Sequence, residues 1–315
     1  MTRCLVLCLL LTAITGIAGR GSELPVIASH LLKVGLVGDD AAPSPVDPTP
    51  DQQQSCAGMS FSRNIRYGES DVNVLDIATG DTRDGSQRPV LLFVAGEDFA
   101  GNDGAPDIVA AMQDLAMCFA ARNGMVGVKV NYRPTPTNSW PSGAKDVAAA
   151  SSWVHDNIDL FGGSRDVIVA IGYAAGAFHV ASLLAHPEFK AGDTGLAGAV
   201  LVSGIYRADA DASAGEKSYF GEDAGKYEER SVFPGILNIE TPILLAWSAL
   251  DPPRLVTQGE KLKERLCNSP THCPHTTVLT ASRGLASLSA LDGSGGGLAA
   301  PTLELVREIE ARGLP

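Results

Sequence analysis

An α/β fold, with a predominantly parallel sheet, helices on both faces and a small cap insertion, is predicted by three features of this 315-residue chain. Short continuous apolar runs such as "PVLLFVA" and "DVIVAIG" suit strands buried on both faces. Segments of helical spacing separate them, so strand and helix signals alternate along the chain. Glycine pairs such as Gly162-Gly163 and the Asn123-Gly124 step punctuate the ends of the helical segments.

Taken in order, the first residues read as an export signal rather than as part of the fold. Arg3 supplies a positive start, "CLVLCLLLTAI" an apolar core, and "GIAG" small residues for cleavage near Ala18 or Gly19. The apolar run is shorter than the ~20 residues needed to span a bilayer, so residues 1–19 are expected to be a signal peptide and not a membrane anchor. Residues 20–55 include "GDDAAPSPVDPTPDQQQS", whose Pro, Asp and Gln content suits an extended linker. The folded domain is expected over 56–315.

Within it, "DVNVLDI" alternates like a half-exposed strand, and "PVLLFVA" and "GMVGVKVNY" read as buried strands. Between these two strands, Ile108, Met112, Leu115 and Phe119 line one face of a helix. Val147, Ser151, Val154 and Ile158 do the same in the next helix. Then follow the strand "DVIVAIG", the helix "AGAFHVASLLAH", the strands "LAGAVLVSG" and "TPILLAWS", the helix "TQGEKLKERL", the strand "HTTVLT" and a closing amphipathic helix, "APTLELVREIEARG". The polar stretch "YRADADASAGEKSYFGEDAGKYEERSVFPG" reads as a loop-like insertion, placed to form part of a cap.

A formal net charge of −12 excludes nucleic acid as the main partner, because phosphate contacts need clustered Lys and Arg. With Cys4 and Cys8 in the signal, Cys56, Cys118, Cys267 and Cys273 remain for an oxidising compartment, secreted or periplasmic. Four cysteines allow three pairings; a local Cys267–Cys273 bridge across "NSPTH" is the first expectation. There is no CxxC pair, so no metal site is expected, and nothing implies a cofactor.

The chemistry concentrates in Gly172-Tyr173-Ala174-Ala175-Gly176, where a buried strand turns directly into a helix. That is the context of the nucleophile elbow G-x-S-x-G, a sharp turn that lifts its central side chain out of the sheet. Here the central residue is Ala174. The surroundings resemble the α/β-hydrolase carboxylesterase and lipase family: "PVLLFVAGEDFAG" is similar to its strand and oxyanion loop, "VGVKVNYR" to the strand after it, and "AVLVSGIY", "TPILLAWSALDPP" and "SRGLASLSAL" follow in family order. The likeness covers roughly residues 61–312.

The resemblance implies an α/β-hydrolase fold and ester hydrolysis by a Ser-His-Asp triad on a small-molecule ester. Carried over, the nucleophile falls on Ala174, the acid on Asp251 and the histidine on Leu285 or Ser287. The oxyanion donors fall on the backbone at Gly96, Glu97 and Ala175, with Ala95 where the family has a loop histidine. Glu97 and Asp98 bring carboxylates toward a place meant for an anion. Without a hydroxyl at 174 no acyl-enzyme forms, and without imidazole nothing takes the proton. The chain is therefore expected to be inactive or nearly so as an esterase, a pseudoenzyme whose vacated pocket binds an ester-like ligand or a protein. Of possible substitutes, Ser203 reads as structural, His179 as a satisfied core residue, His155 as lying on an exposed helix side and His186 as a helix end; Tyr132 and Trp140 read as packing residues.

Overall fold

The computed structural model describes residues 56–81, 85–96, 98–99, 106–190, 192–209, 211–268, 272–280 and 297–313. The expected signal peptide, the whole of the expected linker, Glu97, Leu285 and Ser287 lie outside these residues.

Among the described residues, eight strands form one sheet: β1 (Ser60–Arg66), β2 (Val74–Thr79), β3 (Arg88–Gly96), β4 (Val126–Val130), β5 (Gly163–Ala174), β6 (Leu196–Val202), β7 (Ile243–Ser248) and β8 (His275–Leu279), in the order β1-β2-β4-β3-β5-β6-β7-β8. β1 and β2 pair antiparallel, and β2 joins β4 antiparallel; every other pair is parallel. Six helices accompany them: α1 (Pro106–Arg122), α2 (Ser142–Asn157), α3 (Ala175–Ala185), α4 (Ala214–Phe220), α5 (Pro253–Leu266) and α6 (Ala299–Arg312).

The two cores follow from the two-residue period of a strand. Val90, Leu92 and Val94 of β3 face α2, α3 and α5, whereas Leu91, Phe93 and Ala95 face α1 and α6. All nine residues of β3 are buried, as its unbroken apolar run requires. α3 is apolar apart from His179 and Ser182, and all eleven of its residues are buried. Arg88, at the start of β3, donates from Nε to the carbonyl of Gly162 and from Nη2 to that of Phe161, so a cation sits at the carbonyl end of the 3₁₀ turn that follows α2.

Two sequence expectations change. "SFSRNIR" was not read as a strand, yet it forms the edge strand β1; its exposed polar residues, interrupted by Phe61 and Ile65, suit a strand with one free side. The insertion is not all loop, because α4 and the 3₁₀ turn Ala224–Lys226 lie within it and a second 3₁₀ turn, Gly235–Asn238, starts at its end. The Cys267–Cys273 bridge is present, and Cys56 pairs with Cys118.

The chain runs from β3 to β4 on one side, then crosses to β5 on the other. Such a reversal opens a crevice at the carboxyl ends of the two central strands, and that is where ligands of open α/β sheets bind.

Candidate active site

At this crevice β5 passes directly into α3, and the turn is held by close contacts rather than by a cap. Ala174 has φ 50° and ψ −115°, a conformation that side chains rarely adopt and that costs about 1–3 kcal/mol. A Cβ on Gly172 would lie 2.5 Å from the Cα of Ala177, and one on Gly176 would lie 2.0 Å from the carbonyl oxygen of Val94. Both glycines are required by backbone passing within contact distance, the steric reason behind the G-x-x-x-G spacing. Ala174 is thus lifted to the tip of a nucleophile elbow.

Strand register sets its neighbours. Gly96 pairs with Ala174 across β3 and β5, and Tyr173 pairs with Val202 across β5 and β6, so Ser203 follows at the end of the next strand. Ala175 opens α3 with no side-chain cap on the helix, leaving the backbone N–H groups of that turn directed at the crevice. The Tyr132 hydroxyl packs so closely on Gly96 that a Cβ there would lie 1.7 Å from it.

Asp251 follows β7 and is 6% exposed. Its Oδ2 accepts hydrogen bonds from the Ser203 hydroxyl at 2.6 Å and from the Ser248 N–H at 2.9 Å. Ser203 itself has φ 50°, matching Ala174, and its N–H donates to the carbonyl of Ala246 at 2.9 Å. A strained serine at the end of β6 therefore fixes one oxygen of Asp251, a role that the "LVSG" motif does not reveal without its backbone angle.

Asp98 does not face the crevice. Its carboxylate accepts from the Ser213 hydroxyl and, at 3.3 Å, from the Gly215 N–H, both at the start of α4. One of the two charges expected to oppose an oxyanion is thus spent on the cap insertion.

His179 is buried as expected but is not satisfied, since its Nδ1 has no hydrogen-bond partner. Its ring lies 4.5 Å from that of Tyr132 and 5.2 Å from that of Tyr219, with Phe99 and Phe178 also edge-on. Burial in this aromatic shell pushes the imidazole down to about 3, so it stays neutral at working pH. His155 is half-buried rather than exposed and contacts Asp156 at 3.1 Å. His186 bonds the Ser231 carbonyl and Glu188. Tyr132 and Trp140 pack, the latter against Phe189 and His186.

Comparison with known proteins agrees with this geometry. The sequence pattern of the "Carboxylesterase family" matches residues 43–224, more than half of the chain. The chain belongs to the carboxylesterase family. Among curated relatives, Esterase LipQ of Mycobacterium tuberculosis is 31% identical over 215 residues, covering 63% of this chain and 48% of that protein. Probable carboxylic ester hydrolase LipM of the same organism is 33% identical over 153 residues, 45% of this chain and 34% of that protein. The chain thus matches about half or less of the length of these relatives. Among solved structures, Esterase B from Lactobacillus rhamnosis superposes with a TM-score of 0.65 at 14% identity, covering 91% of this chain and 96% of that one. The Bacterial Heroin Esterase gives 0.61 at 21% identity, covering 92% and 98%. These likenesses establish the α/β-hydrolase fold.

Proposed function

We propose that this chain is a carboxylesterase-family protein that holds an ester-like small molecule at its elbow without hydrolysing it. The observation that carries the reading is Ala174: a strained elbow tip, flanked by two sterically required glycines, that presents a methyl group where attack needs a hydroxyl. With Leu285 and Ser287 in the segment that matches the family's histidine, neither nucleophile nor base is supplied. Loss of serine or histidine lowers triad turnover by roughly a million-fold, and loss of both is little worse because they act as a unit. Donors at Gly96, Glu97 and Ala175 would hold the carbonyl oxygen of such a ligand, and Asp251, fixed by Ser203, keeps the place of the acid.

The protein is exported in this reading, through residues 1–19. The two disulfides, Cys56–Cys118 and Cys267–Cys273, suit an oxidising compartment. The test is hydrolysis of a short-chain chromogenic ester by the unaltered chain beside Ala174→Ser combined with Leu285→His or with Ser287→His. The unaltered chain is expected at background and one restored chain at least ~10-fold above it. Absence of any gain in both restored chains would remove the esterase reading of this pocket.

A further inference from the structure

A second cavity lies between the cap insertion and α5, with a volume of about 410 Å³, within the range of small-molecule sites. One wall is a single face of α5, where Gln258, Lys261 and Arg265 follow one another at helical spacing. The facing wall comes from the insertion and includes Arg207, Tyr227 and Phe233. The rim is preorganised. Gln258 Oε1 accepts from the N–H groups of Tyr206 and Arg207 at 3.0 and 3.1 Å, and its Nε2 donates to the Arg207 carbonyl at 2.8 Å. The Tyr227 hydroxyl donates to the Gly221 carbonyl at 2.9 Å, so its ring is fixed as an apolar wall.

The charges in this cavity do not cancel. Its two carboxylates are engaged, Glu228 by Arg207 at 2.7 Å and Asp209 by Arg254 at 3.1 Å. Lys261 and Arg265 remain, and among the described residues neither meets a carboxylate; the Arg265 guanidinium lies over the Phe233 ring at 5.1 Å. Two like charges one helical turn apart disfavour a helix unless an anion lies between them. The lining carries three cations against two carboxylates, so beside this fixed aromatic wall the local balance is positive in a chain of net charge −12.

We propose that this cavity is a binding site for a small organic carboxylate with an apolar or aryl body, its carboxylate between Lys261 and Arg265 and its body against Phe233 and Tyr227. The site is separate from the elbow and does not depend on whether the elbow hydrolyses esters. Benzoate is the probe, titrated by calorimetry at low salt, with acetate and neutral benzamide as controls. Benzoate is expected to bind saturably and more tightly than either control, and to weaken as salt rises. Lys261→Ala with Arg265→Ala should weaken it by at least ~10-fold, whereas Lys261→Arg with Arg265→Lys should retain it. Both residues are exposed, so the variants should melt as the parent does, which a thermal scan checks. Absence of saturable benzoate binding, equal binding of acetate or benzamide, or unchanged binding in the double alanine variant would each overturn the proposal.

Discussion

Ala174 is held at φ 50° and ψ −115°, where a β-carbon is under strain and a glycine would not be. Ala174→Gly should therefore stabilise the fold by about 1 kcal/mol, strain relief outweighing the added freedom of the unfolded chain. Urea denaturation measures this, and a destabilised variant would mean that the turn is not strained. His179 makes a different prediction. Burial pushes it down to about 3, while the unfolded chain titrates near ~6.5. Below that value the unfolded state gains a proton that the folded state refuses. Its contribution to stability is complete above ~6.5 and falls by up to ~1.4 kcal/mol per unit as pH drops toward 3. His179→Met should flatten the loss between pH 7 and pH 5 relative to the parent, read as the shift of the urea midpoint. At this scale the elbow was legible, because its glycines are imposed by backbone contacts that leave a fixed spacing in sequence. The bond from Ser203 to Asp251 was not, since 48 residues separate the partners and no local pattern links them.

α4 shows what element-level reading can miss. The insertion looked like loop because it is polar and rich in Gly and Ala, yet Ser213-Ala-Gly-Glu216 carries the S-x-x-E signature of a capping box. Ser213 Oγ accepts from the Glu216 N–H at 3.0 Å and donates onward to Asp98. The buried Glu216 carboxylate takes two hydrogen bonds from Arg254, at 2.5 and 2.6 Å, only three residues past Asp251. The Phe99 and Tyr219 rings stack at 4.7 Å, and the Trp140 backbone N–H donates to the Tyr219 carbonyl. This seven-residue helix thus ties the loop after β3, the start of α5 and the approach to α2 together, so it is fixed in place rather than a free lid. Glu216→Ala should leave Arg254 without its main partner and cost about 2 kcal/mol, less than a fully buried pair because Arg254 is partly exposed. A loss below a few tenths of a kcal/mol in chemical denaturation would contradict the clamp. The parallel strands were readable for the opposite reason: burial on both faces leaves unbroken apolar runs, whereas the edge strand β1 needs none.

Across the whole molecule, two disulfides close loops of very different size. Cys56–Cys118 spans 62 residues and Cys267–Cys273 spans 6. Loop-closure entropy assigns about 4 kcal/mol to the first and about 2 kcal/mol to the second. Cys118→Ala with Cys56→Ala should therefore lower the melting temperature further than the Cys267→Ala, Cys273→Ala pair; the reverse order would place the stabilisation in native packing rather than in chain constraint. The architecture that these bridges hold is the α/β-hydrolase fold of the carboxylesterase family, with a strained strand-to-helix turn whose tip, Ala174, carries a methyl group. The most direct test of that account is the steady-state rate of short-chain ester hydrolysis by the unaltered, disulfide-bonded chain. The expected rate is indistinguishable from that of the same protein after heat denaturation; saturable turnover that scales with native protein and survives in Ala174→Gly would mean that the fold hydrolyses esters without a side chain at its elbow.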